Sequence, residues 1–120
     1  VAPYSPLGGG LLSGKYAAGA TGRITDDVMY SKRYAPAWMH GAAAGLSAIA
    51  AEIGAHPATL AVAWVARHQG VTAPIISARS EEQLRPSLAA LDFAMDDALY
   101  ARLSALTPTP PPATDRLEEA

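Results

Sequence analysis

From Ala42 onward the chain takes on a helical period. Leu46, Ile49, Ala50 and Ile53 recur at i, i+3, i+4 and i+7, which is one face of a helix. Gly54 stands where a left-handed residue would end it. His56-Pro57 predicts a second start, because proline suits the first helical position. Leu60, Ala63, Trp64 and Arg67 carry that helix along one face, and Gly70 is placed to close it. Further on, Ser80-Glu81-Glu82-Gln83 has the form of a capping box, followed by Leu84, Leu88 and Leu91 at helical spacing. Pro86 removes the bond to the Glu82 carbonyl, which predicts a kink or a helix that starts near Pro86 itself. Asp96 is the expected N-cap of a last helix carrying Leu99, Leu103 and Leu106.

Two other stretches have the look of strands. Residues 1–12 open with a short extended piece limited by Pro3 and Pro6, then pass into Gly8, Gly9 and Gly10. Residues 71–78 predict a buried strand centred on Ile75 and Ile76, with Pro74 an awkward member. Between them, residues 16–39 show no sustained period, and a loop of that length is either a functional lid or disordered. The order of strand, long loop, helices, strand, helix and helix is α/β alternation with a parallel sheet. Two strands can neither close a barrel nor form a stable sheet by themselves, so the pattern implies missing partners.

Composition sharpens this. Half of the 120 residues are apolar, but many are alanine and there is one phenylalanine, so the core per residue is thin. The net charge of −2 does not point to nucleic acid or to an anionic membrane. With no cysteine, disulfide frameworks and thiolate metal sites are excluded, and a reducing compartment is compatible. No apolar run approaches the roughly 18 residues of a membrane span, and no signal-peptide pattern opens the chain, so a cytoplasmic location is expected. The first residue is Val1; the expectation is a chain cut from something longer rather than one trimmed by processing. Residues 1–107 form the expected folded unit. Residues 108–120, with Pro108, Pro110, Pro111 and Pro112 and a charged end, are expected to be an extended or disordered tail.

Chemistry concentrates in two segments. The first runs Tyr4-Ser5-Pro6-Leu7-Gly8-Gly9-Gly10-Leu11-Leu12-Ser13-Gly14-Lys15-Tyr16. A strand end followed by glycines offers backbone N–H groups to an anion. Lys15 adds a point charge suited to phosphate, and a flat tyrosine at a strand end can stack on a planar ring. Composition alone leaves an ordinary glycine-rich turn with a surface lysine as the commoner meaning. The second segment runs Pro74-Ile75-Ile76-Ser77-Ala78-Arg79-Ser80-Glu81-Glu82-Gln83-Leu84. Here a strand leads into a helix N-terminus, whose free N–H groups and dipole favour an anion, and Arg79 can clamp a phosphate bidentately. A capped helix with a solvated arginine is the equal alternative.

The first segment strongly resembles the seventh-strand segment of aldo-keto reductases, above all the branch that includes the potassium-channel β-subunits. The second resembles that family's eighth-strand segment. The stretches 54–64 and 91–93 resemble its packing helix and the run after the eighth strand, so the likeness extends over about residues 1–106. The resemblance implies the C-terminal portion of a (β/α)8 TIM barrel, contributing two parallel strands with flanking helices. It implies NADP(H) as cofactor. Tyr4 would stack on the nicotinamide; Ser5, Pro6, Leu7, Gly8 and Gly9 would line the pyrophosphate; and Lys15 would contact phosphate. Ser77 and Arg79 would hold the 2′-phosphate and Gln83 the adenosine part. Arg23 corresponds loosely to an arginine that packs on adenine in some members, with a plain surface arginine as the alternative. The preference for NADP over NAD follows from Arg79.

The chain also departs from the family pattern. Ser77 stands where glycine is usual, and Pro86-Ser87 where a Glu-Asn pair contacts adenine, which predicts weaker adenine binding. The family reduces aldehydes or ketones by hydride transfer, using a tyrosine acid supported by lysine, histidine and aspartate in the first part of the barrel. Those positions fall outside this chain, so it carries no expected catalytic residue and is expected to be inactive alone. His40, His56 and His68 are dispersed, and no metal site is expected. Trp64 is an expected core residue, Trp38 a candidate substrate contact and Asp26-Asp27 a solvated turn. The expected partner is a small carbonyl substrate, with neither nucleic acid nor membrane. The alternatives are a non-catalytic module that senses the nicotinamide cofactor and regulates a partner protein, or a truncated inactive fragment.

Overall fold

The computed structural model describes residues 1–108. The proline-rich tail expected over 108–120 thus lies, beyond its first residue, outside the described residues. Among the described residues six α-helices follow in order: α1 Arg23–Asp26, α2 Val28–Arg33, α3 Ala37–Ile53, α4 Pro57–Arg67, α5 Glu81–Leu88 and α6 Asp97–Ser104, with 3-10 turns at Gly8–Ser13 and Ala89–Asp92.

The long central helices are set by their ends. Gly54 adopts φ +71° as the left-handed C-cap of α3 and its N–H reaches back to Ala50 and Ala51 carbonyls. His56 then caps α4, its Nδ1 accepting from Ala58 N–H at 3.0 Å, with Pro57 in the first turn. This short connection turns the path by 104°, and α4 folds back across α3. Leu46, Ile49 and Ala50 of α3 meet Leu60 and Ala61 of α4 and Leu103 of α6 in the core. Small residues let the elements approach closely: a Cβ on Gly45 would lie 2.7 Å from Leu106 Cδ2. Trp64 is half-buried rather than fully buried; its Nε1 donates to Ser104 Oγ at 2.9 Å, and its ring stacks on Tyr100 at 6.1 Å.

Several sequence expectations are corrected. Helix α3 begins at Ala37, not near Ala42, because Pro36 opens it and the alanine-rich stretch sustains it. Trp38 therefore sits in its first turn, 49 % exposed. Ile53, expected on the buried face, is exposed where α3 ends, as are Leu88 and Leu91. The period-less stretch 16–39 is not a bare loop: it holds α1 and α2, too short for periodicity to reveal. Asp27 is the N-cap of α2, its carboxylate accepting from Met29 and Tyr30 N–H groups. Helix α4 ends at Arg67, before Gly70. Helix α5 runs through Pro86 instead of starting there, since Ser80 caps it by accepting from Gln83 N–H at 3.2 Å. Asp96 caps α6 as its position predicts, accepting from Leu99 N–H at 2.7 Å.

The largest correction concerns the sheet. In place of two strands, the described residues hold one parallel bridge, Tyr4 with Ile75. Thr72 N–H donates to the Val1 carbonyl and Ile75 N–H to the Pro3 carbonyl, each at 2.8 Å. An advance of two residues on one side is thus matched by three on the other, which a regular ladder does not allow. Pro3, Pro6 and Pro74 have no N–H with which to extend it. The expected burial fails with it: Ile75 is 57 % and Tyr4 70 % exposed.

Candidate functional site

The bridge decides which ends of the two segments meet. Because Tyr4 and Ile75 pair in parallel, the chain leaves both in the same direction. The loop that starts at Ser5 and the turn that starts at Ser77 therefore emerge from one end of the molecule.

The first loop is a run of unusual backbone. Ser5 has φ +55°, the one positive-φ residue other than glycine among those described, and it precedes a proline. Its carbonyl accepts from Gly8 N–H at 2.9 Å, and the Leu7 carbonyl accepts from Gly10 and Leu12. Gly8, Gly9 and Gly10 have φ of +55°, +64° and +96°, a sequence of left-handed residues that side chains would oppose. There is no room for side chains either: a Cβ on Gly9 would lie 2.9 Å from Tyr30 Cδ1, and one on Gly8 3.3 Å from Tyr34 Cε1. The rings of Tyr30 in α2 and of Tyr34 at its C-cap, four residues apart, stack at 6.2 Å and wall one side of the loop. Sequence reasoning missed both, although i, i+4 aromatics are a readable sign of a paired helix face.

Charge is gathered against this loop. Lys15 lies with its Nζ 4.8 Å above the Tyr16 ring and its stem against Gly10 and Gly22. Arg23 stands with its guanidinium 5.8 Å from the Tyr30 ring. Neither cation has a carboxylate within ion-pair distance among the described residues, whereas Arg67, Arg85 and Arg102 are each paired. The Tyr16 hydroxyl donates to the Gly9 carbonyl and accepts from Ile24 N–H, both at 3.2 Å, which holds α1 to the glycine loop. Of the predicted residues, Ser5 to Gly9, Lys15 and Arg23 are thus brought together; Gly10 and Tyr16, from the same motif but with no assigned contact, and Gly22 join them.

Ser77, Arg79 and Gln83 form the second part and are exposed. The Gln83 side-chain oxygen accepts from Arg79 N–H at 3.3 Å, so the glutamine folds over the first turn of α5 instead of completing the expected capping box on Ser80. Ser87 is 4 % exposed and offers nothing to a ligand. A groove of about 520 Å³, open to solvent, lies elsewhere, between Gly54, His56, Arg85 and Phe93. It includes none of the predicted cofactor residues and has no unpaired cation, since Arg85 is bound to Glu81.

A positive-φ glycine cradle, two cations without carboxylate partners and an exposed arginine at a helix start fit a dinucleotide phosphate. Among the described residues no group of three histidine, cysteine or acidic side chains could hold a metal ion. His56 and His68 accept backbone N–H bonds at Ala58 and Gly70, and His40 Nε2 lies 2.8 Å from the Tyr34 carbonyl.

Residues 1–108 match the model of the aldo/keto reductase family. The chain belongs to that family. Among its relatives, the uncharacterized oxidoreductase YrpG of Bacillus subtilis (strain 168) is 34 % identical over 111 residues, which cover 92 % of this chain and 32 % of that protein. Protein tas of Escherichia coli (strain K12) is 30 % identical over 86 % of this chain and 30 % of its own length. A probable voltage-gated potassium channel subunit beta of Oryza sativa subsp. japonica is 31 % identical over 74 % of this chain and 29 % of its own length. The chain thus spans about a third of the length of these relatives. Membership in the aldo/keto reductase family implies the TIM barrel as the fold of the whole.

Proposed function

We propose that this chain is the C-terminal portion of an NADP(H)-dependent aldo-keto reductase barrel and supplies its cofactor-binding loops. The catalytic tetrad belongs to the part of the protein outside the chain. The observation that carries this reading is the parallel pairing of Tyr4 with Ile75, which sends the glycine loop and the Arg79 turn out of one end. In a (β/α)8 barrel that end is where ligands sit, with phosphate held by the loops after the last two strands.

Each residue has a role that its setting supports. The exposed Tyr4 ring stands at the loop's entrance, free to stack on the nicotinamide. Ser5, Pro6, Leu7, Gly8 and Gly9 line the pyrophosphate, and Lys15 balances its charge. Arg79 forks onto the 2′-phosphate, and Gln83 swings from Arg79 N–H to the adenosine. Arg23 lies on the same side and closes over the nucleotide. The bound cofactor supplies the hydride for reduction of a small aldehyde or ketone in the cytoplasm; the chain's own residues bind and orient it.

The test is a fluorescence titration of the intact protein with NADPH. Micromolar or tighter binding, with turnover of a simple aldehyde, is the expected result. Absence of NADPH binding would overturn the reading. Binding without turnover would favour a second function, a nicotinamide-sensing module that regulates a partner; the likeness to a channel subunit beta supports that alternative.

A further inference from the structure

We propose that Tyr16 is a positioning residue that couples Lys15 and Arg23 into one phosphate-binding unit. The inference rests on the reading of this loop as the cofactor site.

Tyr16 acts through both of its ends. Its ring lies under the Lys15 ammonium at 4.8 Å, holding a charge that no carboxylate among the described residues holds. Its hydroxyl spans seven residues back to the Gly9 carbonyl and eight forward to Ile24 N–H. Ile24 follows Arg23 directly, so that bond fixes the helical turn carrying the second cation. Gly22 completes the arrangement. A Cβ there would lie 2.8 Å from the Tyr16 hydroxyl and would overlap the Lys15 ammonium, so a side chain at this position must displace them. Three backbone points, at Gly9, Gly22 and Ile24, thus converge on the Tyr16 hydroxyl. With the latch made, Lys15 and Arg23 stand against the glycine loop before any ligand arrives, and their ordering is not charged against binding. With it broken, α1, a helix of four residues, loses a hydrogen bond that ties it to the loop.

The Arg23–Ile24 peptide bond provides the readout, because trypsin cuts there and its amide is the one that donates to Tyr16. In the intact protein without ligand, Tyr16→Phe should speed tryptic cleavage after Arg23 about threefold to tenfold, the worth of one lost hydrogen bond. Cleavage after Arg67 should keep its rate. The same variant should raise the dissociation constant for NADPH by a similar factor, and Tyr16→Leu, which also removes the ring from Lys15, should raise it further. Gly22→Ala opens the latch from the opposite side and should reproduce the Tyr16→Phe pattern; it serves where a Tyr16 variant does not fold.

Unchanged cleavage after Arg23 in Tyr16→Phe would overturn the proposal. So would equal acceleration after Arg23 and Arg67, which would mean general loosening, and so would faster cleavage with NADPH affinity unaltered. If the unsubstituted protein binds no NADPH, the site reading itself fails, and the cleavage pattern still decides separately whether the latch exists.

Discussion

Tyr4 and Ile75 pair in parallel through a single bridge, closed by the 2.8 Å bond from Ile75 N–H to the Pro3 carbonyl. That one contact joins two loops seventy residues apart in the chain at the same end. It also divides their work. On the proposed reading, Lys15 of the first loop meets a phosphate common to both nicotinamide cofactors, whereas Arg79 meets the phosphate that only one of them has. Arg79→Ala should therefore weaken NADPH binding by roughly tenfold to a hundredfold, the worth of a charge-assisted hydrogen bond, and NADH binding much less. Lys15→Ala should weaken both by about the same factor. Titration of each variant with each cofactor checks this, and equal losses of the two cofactors in Arg79→Ala would contradict the placement.

Ser5 carries the backbone cost of the loop. Its φ of +55° is one that a serine adopts at a cost of about 1–2 kcal/mol, made worse by the proline that follows. Glycine at this position removes the strain but enlarges the freedom of the unfolded chain, so Ser5→Gly should gain a net of about 0.5 kcal/mol. Ser5→Val, β-branched in a left-handed conformation, should lose about 1–2 kcal/mol. The order Gly above Ser above Val in urea midpoints is the expected result. The reverse order would mean that the strain is not there.

The legible part of this fold was its helix punctuation. Gly54, His56-Pro57, Ser80 and Asp96 mark helix ends because each does so by local backbone chemistry, independent of what packs nearby. The glycine loop and Lys15 were legible for the same reason, since a contiguous motif keeps its meaning wherever it lies. What could not be read were features made by distant contacts. The expected strand at 71–78 needed neighbours and N–H donors that Pro3, Pro6 and Pro74 do not provide. Helices α1 and α2 are shorter than two turns and leave no period. The role of Tyr16 depends on Gly9, Gly22 and Ile24 meeting in space. Ser87 shows the limit of carrying positions over by motif alone. Its place after Pro86 suggested a lost adenine contact, and the structure adds that the position is buried on α5.

Acid should loosen the molecule at the contact between α3 and α6. Arg102 forks onto Glu52 with bonds of 3.0 and 2.6 Å, and these hydrogen bonds, with the charge of the guanidinium, hold the Glu52 carboxyl below the ordinary glutamate range. A carboxyl whose folded-state value is lowered contributes stability that is present above its unfolded value and is lost as pH falls through the folded one. The melting temperature should therefore drop below the usual carboxylate range more steeply in the unsubstituted protein than in Glu52→Gln. The two curves should converge at the acid end. Because both partners are solvent-exposed, the difference at neutral pH should be small and should shrink with added salt. Parallel curves at every pH would show that the pair is not linked to folding.

Thr59 and Pro86 are joined by a bond of 2.6 Å from the threonine hydroxyl to the proline carbonyl, and Thr59 is buried on α4. The bond matters because of what Pro86 does to α5. Proline in the helix denies the Glu82 carbonyl its usual donor and weakens the last turn from within. A tie from outside the helix offsets that loss and holds α5 against α4. Since the first turn of α5 carries Arg79 and Gln83 at its edge, the tie also sets where those two groups point. Thr59→Val keeps the volume and removes the donor, and should cost about 1–2 kcal/mol by leaving a part-buried carbonyl without it. Thr59→Ser retains the hydroxyl and should recover most of that. If helix position matters to the site, Thr59→Val should also weaken NADPH more than NADH, since it disturbs the Arg79 side and leaves the glycine loop alone. A loss of stability with both affinities unchanged would confine Thr59 to packing.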